Sequence, residues 1–202
     1  MKEAVIVSAA RTPIGKAYRG AFNNLEAPSL SFYAIEAAVQ RAGIEAGEIE
    51  DCIMGAALQQ GTTGFNLGRQ AAMAAGLPVT VSGMTIDRQC SSGLMAIATG
   101  AKQIVMDGMQ AVVAGGCESI SLVQNDKMNI HKMVDPKAIA HAPNIHMPML
   151  DTAEVVANRY NVARDVQDEY ALQSQQRTAA AQEAGKFAEE IVPVTATKLV
   201  IN

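Results

Sequence analysis

The sequence predicts an α/β protein in which helices cover a sheet. Short apolar runs of strand length alternate with segments whose apolar residues recur at helical spacing, in the order β-α-β-α-β-α-β, as far as Gly116. Glycine and proline punctuate most of the joins. Of 202 residues, 49% are hydrophobic and 18% charged. That balance supplies a buried core and excludes a disordered chain, a collagen and a disulfide miniprotein.

Val5–Ala9 is the first expected strand, ended by the loop Arg11-Thr12-Pro13-Ile14-Gly15-Lys16. From Ser29 to Ala42, Leu30, Tyr33, Ala34, Ala37, Ala38 and Val39 form a helical stripe, and Gly43 stops it. Cys52–Ala57 reads as a second, buried strand. Asn66–Ala75 is an Ala-rich helix closed by Gly76 and Pro78, and Met84–Ile86 is a short strand. Ser91–Met106 places Leu94, Ile97, Ala98, Ala101, Ile104 and Val105 on one helical face. Ala111–Ala114 is the fourth strand, ended by Gly115-Gly116.

The alternation fails beyond Ser119, so the expected domains are 1–118 and 119–202. Asn125–Met149 is rich in Met, His, Pro, Asn and Lys with weak periodicity, and an irregular excursion is expected there. Asp151-Thr152-Ala153-Glu154 has capping-box spacing and predicts a helix that starts at Asp151. A longer helix is expected over Asp165–Ala184, with Gly185 as its stop. Ile191–Ile201 is β-prone apart from Pro193, and the chain ends in that run as a cut chain would.

Sixteen basic and twenty acidic residues give a net charge of −4 without a Lys/Arg run, which argues against a nucleic-acid partner. No apolar run reaches about eighteen residues, so no membrane helix is expected. Met1–Ser8 is too short and too acidic for a signal peptide, and the cytoplasm is the expected location. Cys52, Cys90 and Cys117 form no CxxC pair, and so sparse a set reads as free thiols.

Cys90 carries the clearest chemistry. In Asp87-Arg88-Gln89-Cys90-Ser91-Ser92-Gly93-Leu94 it stands between a strand and a helix N-terminus. Free N–H groups and the positive end of the helix dipole gather there, and both favour a thiolate. Ser91, Ser92 and Gly93 are small and leave room for a substrate. Cys117, after Gly115-Gly116, is either near a ligand or packed in a tight turn, with packing favoured. Cys52 opens an apolar run and reads as core. His131, His141 and His146 are spaced by ten and five residues, which matches no zinc pattern, so no metal is expected. Gly61, Gly64 and Gly68 miss the dinucleotide spacing. Met128, Met133, Met147 and Met149 suit an adaptable apolar tunnel or ordinary loop packing.

At these residues the sequence resembles the thiolase family, the acyl-CoA:acetyl-CoA acyltransferases. The similar segments are Val7-Ser8-Ala9-Ala10-Arg11-Thr12-Pro13-Ile14-Gly15, Asn66-Leu67-Gly68-Arg69-Gln70-Ala71-Ala72, and Arg88-Gln89-Cys90-Ser91-Ser92-Gly93-Leu94. Gly115-Gly116-Cys117-Glu118-Ser119 resembles the family's Gly-Gly-x-Glu-Ser turn. Thr152–Ala157, Gln167-Asp168-Glu169 and Glu190–Val194 resemble its inserted loop domain.

The resemblance implies a thiolase-like fold: a mixed sheet covered by helices, with an inserted irregular and helical loop domain. It implies Cys90 as nucleophile. The thiolate attacks the 3-keto carbon of a 3-oxoacyl-CoA, acetyl-CoA leaves, and the acyl thioester on Cys90 passes to a second CoA. An oxyanion hole must hold the developing charge. Coenzyme A is then a substrate, with no permanently bound cofactor and no metal, in fatty acid metabolism. Met149 would line the pantetheine or acyl path. A homodimer or homotetramer is implied.

The family's activating His, Asn-held water and second Cys lie in a C-terminal half that these residues do not match, so the chain alone is expected to be inactive. Arg88–Gly93 and Pro148-Met149 look more like degradative thiolases. Asp87 and Leu150 depart from the common Asn and Gly. The rival readings are a ketoacyl-synthase-like condensing enzyme, a non-catalytic acyl carrier of the same fold, and a truncated partner that only assembles with other subunits.

Overall fold

The first regular element of the computed structural model, which describes residues 3–200, is a helix over Ala27–Ala42 (α1). Proline in its first turn presets φ. Gly43 ends it in the left-handed region (φ 66°), its N–H donating to Gln40 O. Next come Ile49–Gly55 (β1), Leu67–Ala74 (α2), Ser82–Ile86 (β2), Ser92–Lys102 (α3), Ala111–Gly116 (β3) and the single turn Ile120–Val123 (α4).

The three strands form a sheet in the order β2-β1-β3. β1 is central: Gly55 lies level with Ile86 on one side and with Gly116 on the other. Its alternation assigns the two faces. Cys52 and Met54 join Ala27, Ile35, Leu67, Ala71 and Ala72 in one buried cluster, under α1 and α2. Asp51 and Gly55 point the other way, where Gln103 Nε2 donates to Asp51 Oδ2 at 2.8 Å and the start of α3 meets Gly55. Covered on both faces, β1 is buried from Asp51 onward and runs apolar from Cys52 to Gly55.

Every pairing among the described residues is parallel, where the expected sheet was mixed. The cause is the connections, since a helix crosses between each pair of successive strands. The expected first strand, Val5–Ala9, belongs to no ladder. It carries no regular structure, with Val5, Ile6 and Val7 at 69–76% exposure. A β-prone run becomes a strand only beside a partner, and among the described residues the pairing near it is limited to one bridge, Arg11 to Ile191. For the same reason 192–200 is not a strand; it is held by isolated long-range bonds such as Leu199 N–H to Asn23 Oδ1. Ile201, the end of that expected run, lies outside the described residues. The expected Ser91–Met106 helix keeps α-helical pitch only to Lys102, then widens into a π turn over Gln103–Asp107 and stops at Gly108.

The chain divides into two compact units, Met1–Asn129 with Glu189–Asn202, and Ile130–Ala188. α4 lies in the sheet unit, and the 189–202 segment returns to it through the Arg11–Glu190 ion pair at 2.9 Å.

The second unit is helical: Pro136–His141 (α5), Met149–Tyr160 (α6) and Arg164–Glu183 (α7). Asp135 Oδ1 caps α5 through Ala138 N–H. α6 begins two residues before the expected start. Pro148 is its N-cap, and Asp151 falls inside the first turn, where its charge faces the positive helix end instead of closing a capping box. α7 agrees with the expected helix to one residue at each end, and Gly185 follows it at φ 65°. No residue of Ile130–Ala188 is buried.

Candidate active site

The carboxyl ends of three parallel strands converge at Gly55, Ile86 and Gly116. In open α/β sheets that end is where ligands bind. The turn between β2 and α3 carries Cys90 there. Ala56 N–H donates to Ile86 O at 3.0 Å, which ties the end of β1 to the start of the turn.

The turn is closed by its own short side chains. Asp87 Oδ1 accepts Gln89 N–H at 2.7 Å, an Asx-turn. Gln89 then takes a left-handed conformation (φ 48°), unusual for a side-chain-bearing residue. Ser91 N–H donates to Arg88 O and Ser92 N–H to Gln89 O. The Ser91 hydroxyl also donates to Arg88 O, so it does not cap α3. Cys90 emerges from this turn exposed, one residue ahead of the helix N-cap.

Glycine brings the helix this close. A Cβ on Gly55 would lie 2.2 Å from the carbonyl carbon of Ser92 and 2.4 Å from Gly93 N. A Cβ on Gly116 would lie 3.0 Å from Gly93 Cα. No other residue lets the N-terminus of α3 rest on the ends of β1 and β3.

Glu118 follows β3 in the same region. Its Oε2 accepts Ala57 N–H at 2.7 Å, while its Oε1 is buried with no hydrogen-bond partner among the described residues. Cys117 is a packed thiol: its Sγ lies 3.7 Å from Ala27 O, against the core under α1. Burial pushes this thiol up, the Ser31 hydroxyl pulls it down, and the Glu118 charge adds to the rise. Cys52 is wholly buried and pushed up to about 12 by burial and by Asp51. Neither is a nucleophile at neutral pH.

Met149 opens α6 in the helical unit and is 73% exposed. His131, His141 and His146 are exposed, and among the described residues no three His, Cys, Asp or Glu side chains gather to hold a metal ion. No helix of the described residues is long and apolar enough to cross a membrane.

The profile of the family described as "Thiolase, N-terminal domain" matches residues 4–200. The chain belongs to the thiolase family. It is 43% identical to the 3-ketoacyl-CoA thiolase of Bacillus subtilis over 98% of its length and 50% of that relative. It is also 43% identical to the acetyl-CoA acetyltransferase of Rhizobium meliloti, over 94% and 50%. The crystal structure of the Bacillus anthracis acetyl-CoA acetyltransferase superposes with a TM-score of 0.83 at 36% identity, covering 98% of this chain and 52% of that one. The chain thus spans about half the length of these thiolases.

Two groups at this end of the sheet were not singled out from sequence. Glu118 entered only as part of a motif, and Ser92 only as a small residue beside Cys90. A carboxylate two residues after the glycines that end β3 was the available signal for the first. For the second it was a hydroxyl two residues after the cysteine.

Proposed function

We propose that the chain is the nucleophile-bearing portion of an acyl-CoA:acetyl-CoA C-acyltransferase. The observation that carries this is the exposed Cys90 at the β2–α3 junction of a thiolase-family sheet. In the cleavage direction the Cys90 thiolate adds to C3 of a 3-oxoacyl-CoA. The C2–C3 bond breaks, its electrons pass to C2 of the departing acetyl-CoA, and C2 takes a proton. A CoA thiol then attacks the Cys90 thioester and restores the thiol. Condensation of two acetyl-CoA is the reverse.

Residues 1–118 serve as the nucleophile domain and 119–202 as the loop domain, with Met149 along the pantetheine path. The acid/base groups come from a segment beyond these 202 residues. Exposure of Val5, Ile6, Val7, Leu94 and Met106 supports a covering half over the sheet unit. The outer edge of β2, unpaired among the described residues, supports a homodimer or a dimer-built tetramer. CoA is a substrate, with no resident cofactor. A reducing compartment, the cytoplasm, keeps Cys90 a thiol.

The test is intact mass after incubation with acetyl-CoA, with and without a C-terminal thiolase half. An acetyl adduct that maps to Cys90 and vanishes in Cys90→Ser is expected, and the added half should be required. No adduct in either mixture, from a folded chain, would leave an acyl carrier as the better reading.

A further inference from the structure

We infer that Ser92 is the positioning residue for Cys90. Its side chain is 4% exposed. Its Oγ accepts Arg88 N–H at 2.8 Å and donates to Gln89 O at 2.5 Å. One hydroxyl thus links the Asp87–Arg88 peptide to the Gln89–Cys90 peptide, bracketing the left-handed Gln89 and leading directly into Cys90. The other end of this link cannot move, because the Ser92 backbone lies against Gly55 at a separation that admits no Cβ. The strand end fixes Ser92, Ser92 fixes the turn, and the turn fixes the sulfur relative to the N-terminus of α3.

The physical need is specific. A left-handed φ at a non-glycine residue costs free energy and persists only where its surroundings hold it. The Asp87 carboxylate holds Gln89 N–H from outside the turn. Among the described residues the Arg88 N–H is held by the Ser92 hydroxyl, and losing that acceptor leaves a part-buried donor without its bond. Without the hydroxyl the turn relaxes, and Cys90 leaves the field of the helix terminus. A shift of about 1 Å in a reacting group can cost on the order of a hundred-fold in rate.

This inference rests on Cys90 being the nucleophile, and the experiment separates the two. The 202-residue chain is alkylated with iodoacetamide at neutral pH, and modification of each cysteine is followed by peptide mass. The sulfur–carbon bond forms as iodide leaves. Cys90 in the folded wild-type chain should be alkylated readily. If it is as protected as Cys52 and Cys117, the functional reading fails. Ser92→Ala should slow Cys90 about ten-fold, with Cys52 and Cys117 still protected as a sign of intact packing. Ser92→Thr, which keeps the hydroxyl, should recover most of the rate. Equal Cys90 rates in wild type and Ser92→Ala, with a reactive wild type, overturn the positioning role alone. If Ser92→Ala exposes Cys52, hydrogen exchange at Arg88 N–H in the wild type decides. Strong protection supports the link, and exchange at the unfolded rate overturns it.

Discussion

Ile53 in β1 and Leu172 in α7 are both large aliphatic residues in regular structure, yet Ile53 is 0% exposed and Leu172 is 58% exposed. β1 has a strand on each side and helices on both faces, so every residue after Glu50 is buried. α7 has no buried residue in 20. It is held by helix propensity and near-neighbour pairs, such as Arg164 with Asp168. Geometry in the sheet unit is therefore over-determined by packing, and geometry in the helical unit is set locally. Cys90, the proposed nucleophile, sits in the first kind of environment and Met149 in the second, so the one is tied to the sheet and the other to a locally set helix start.

The largest test of this contrast is a pair of truncations. Ile53→Ala should lower unfolding free energy by about 2–5 kcal/mol, through lost transfer energy and the cavity left behind. Leu172→Ala should change it by less than about 0.5 kcal/mol. Urea denaturation measures both. Equal losses would mean that α7 is packed in solution in a way that its exposure here does not express.

Gly55→Ala sharpens the comparison at the site itself. The new methyl would overlap the Ser92–Gly93 peptide, and backbone cannot step aside as a side chain can. About 3 kcal/mol of destabilisation is expected, at the upper end for overpacking. Cys90 alkylation should slow as well, because α3 and its turn must lift together. A stable variant with a wild-type Cys90 rate would show that the close approach does not position the turn.

The same contrast explains what was legible in the residues. α1, α2 and α3 could be read because each needs only its own periodicity and a cap or glycine stop, as at Gly43, and the three paired strands because each apolar run found another beside it in the sheet. Cys90 could be read because strand, small turn and helix are contiguous in sequence. Val5–Ala9 could not, since strand formation depends on a neighbour that its own residues do not specify. The start of α6 was misplaced because Asp151 and Glu154 have capping-box spacing, while Pro148, with its fixed φ, begins the helix earlier. Ser92 was missed because its role lies in bonds back to Arg88 and Gln89, and no periodicity marks such a turn.

Thiol chemistry gives a smaller, pH-resolved effect. At neutral pH a disulfide exchange reagent should titrate one of the three cysteines, Cys90, and the other two only after denaturation. Cys52 also makes stability pH-dependent. Its folded value is raised to about 12, so the unfolded chain loses this proton first. The stability it contributes is fully present below the unfolded thiol value of about 8.5 and is lost as pH rises toward 12. Cys52→Ala should therefore flatten the alkaline arm of the stability–pH curve. An unchanged arm would assign alkaline unfolding to other groups.

The smallest effect concerns the first turn of α7, and there its sign carries the information. Arg164 stands at the positive helix end, the unfavourable side for a cation, and Asp168 one turn later offsets it through a 2.8 Å ion pair. The Asp168 bond and charge push the guanidinium further up, but Arg164 is exposed, so the pair has little weight in water. Asp168→Asn leaves Arg164 uncompensated against the dipole and should slightly lower helicity in dilute buffer, an effect that high salt removes. Arg164→Ala removes the unfavourable cation with its partner bond, and helicity should hold or rise. Circular dichroism at low and high salt distinguishes these signs. Equal losses in both variants would mean that the ion pair itself, not the charge–dipole balance, sets the start of the helix.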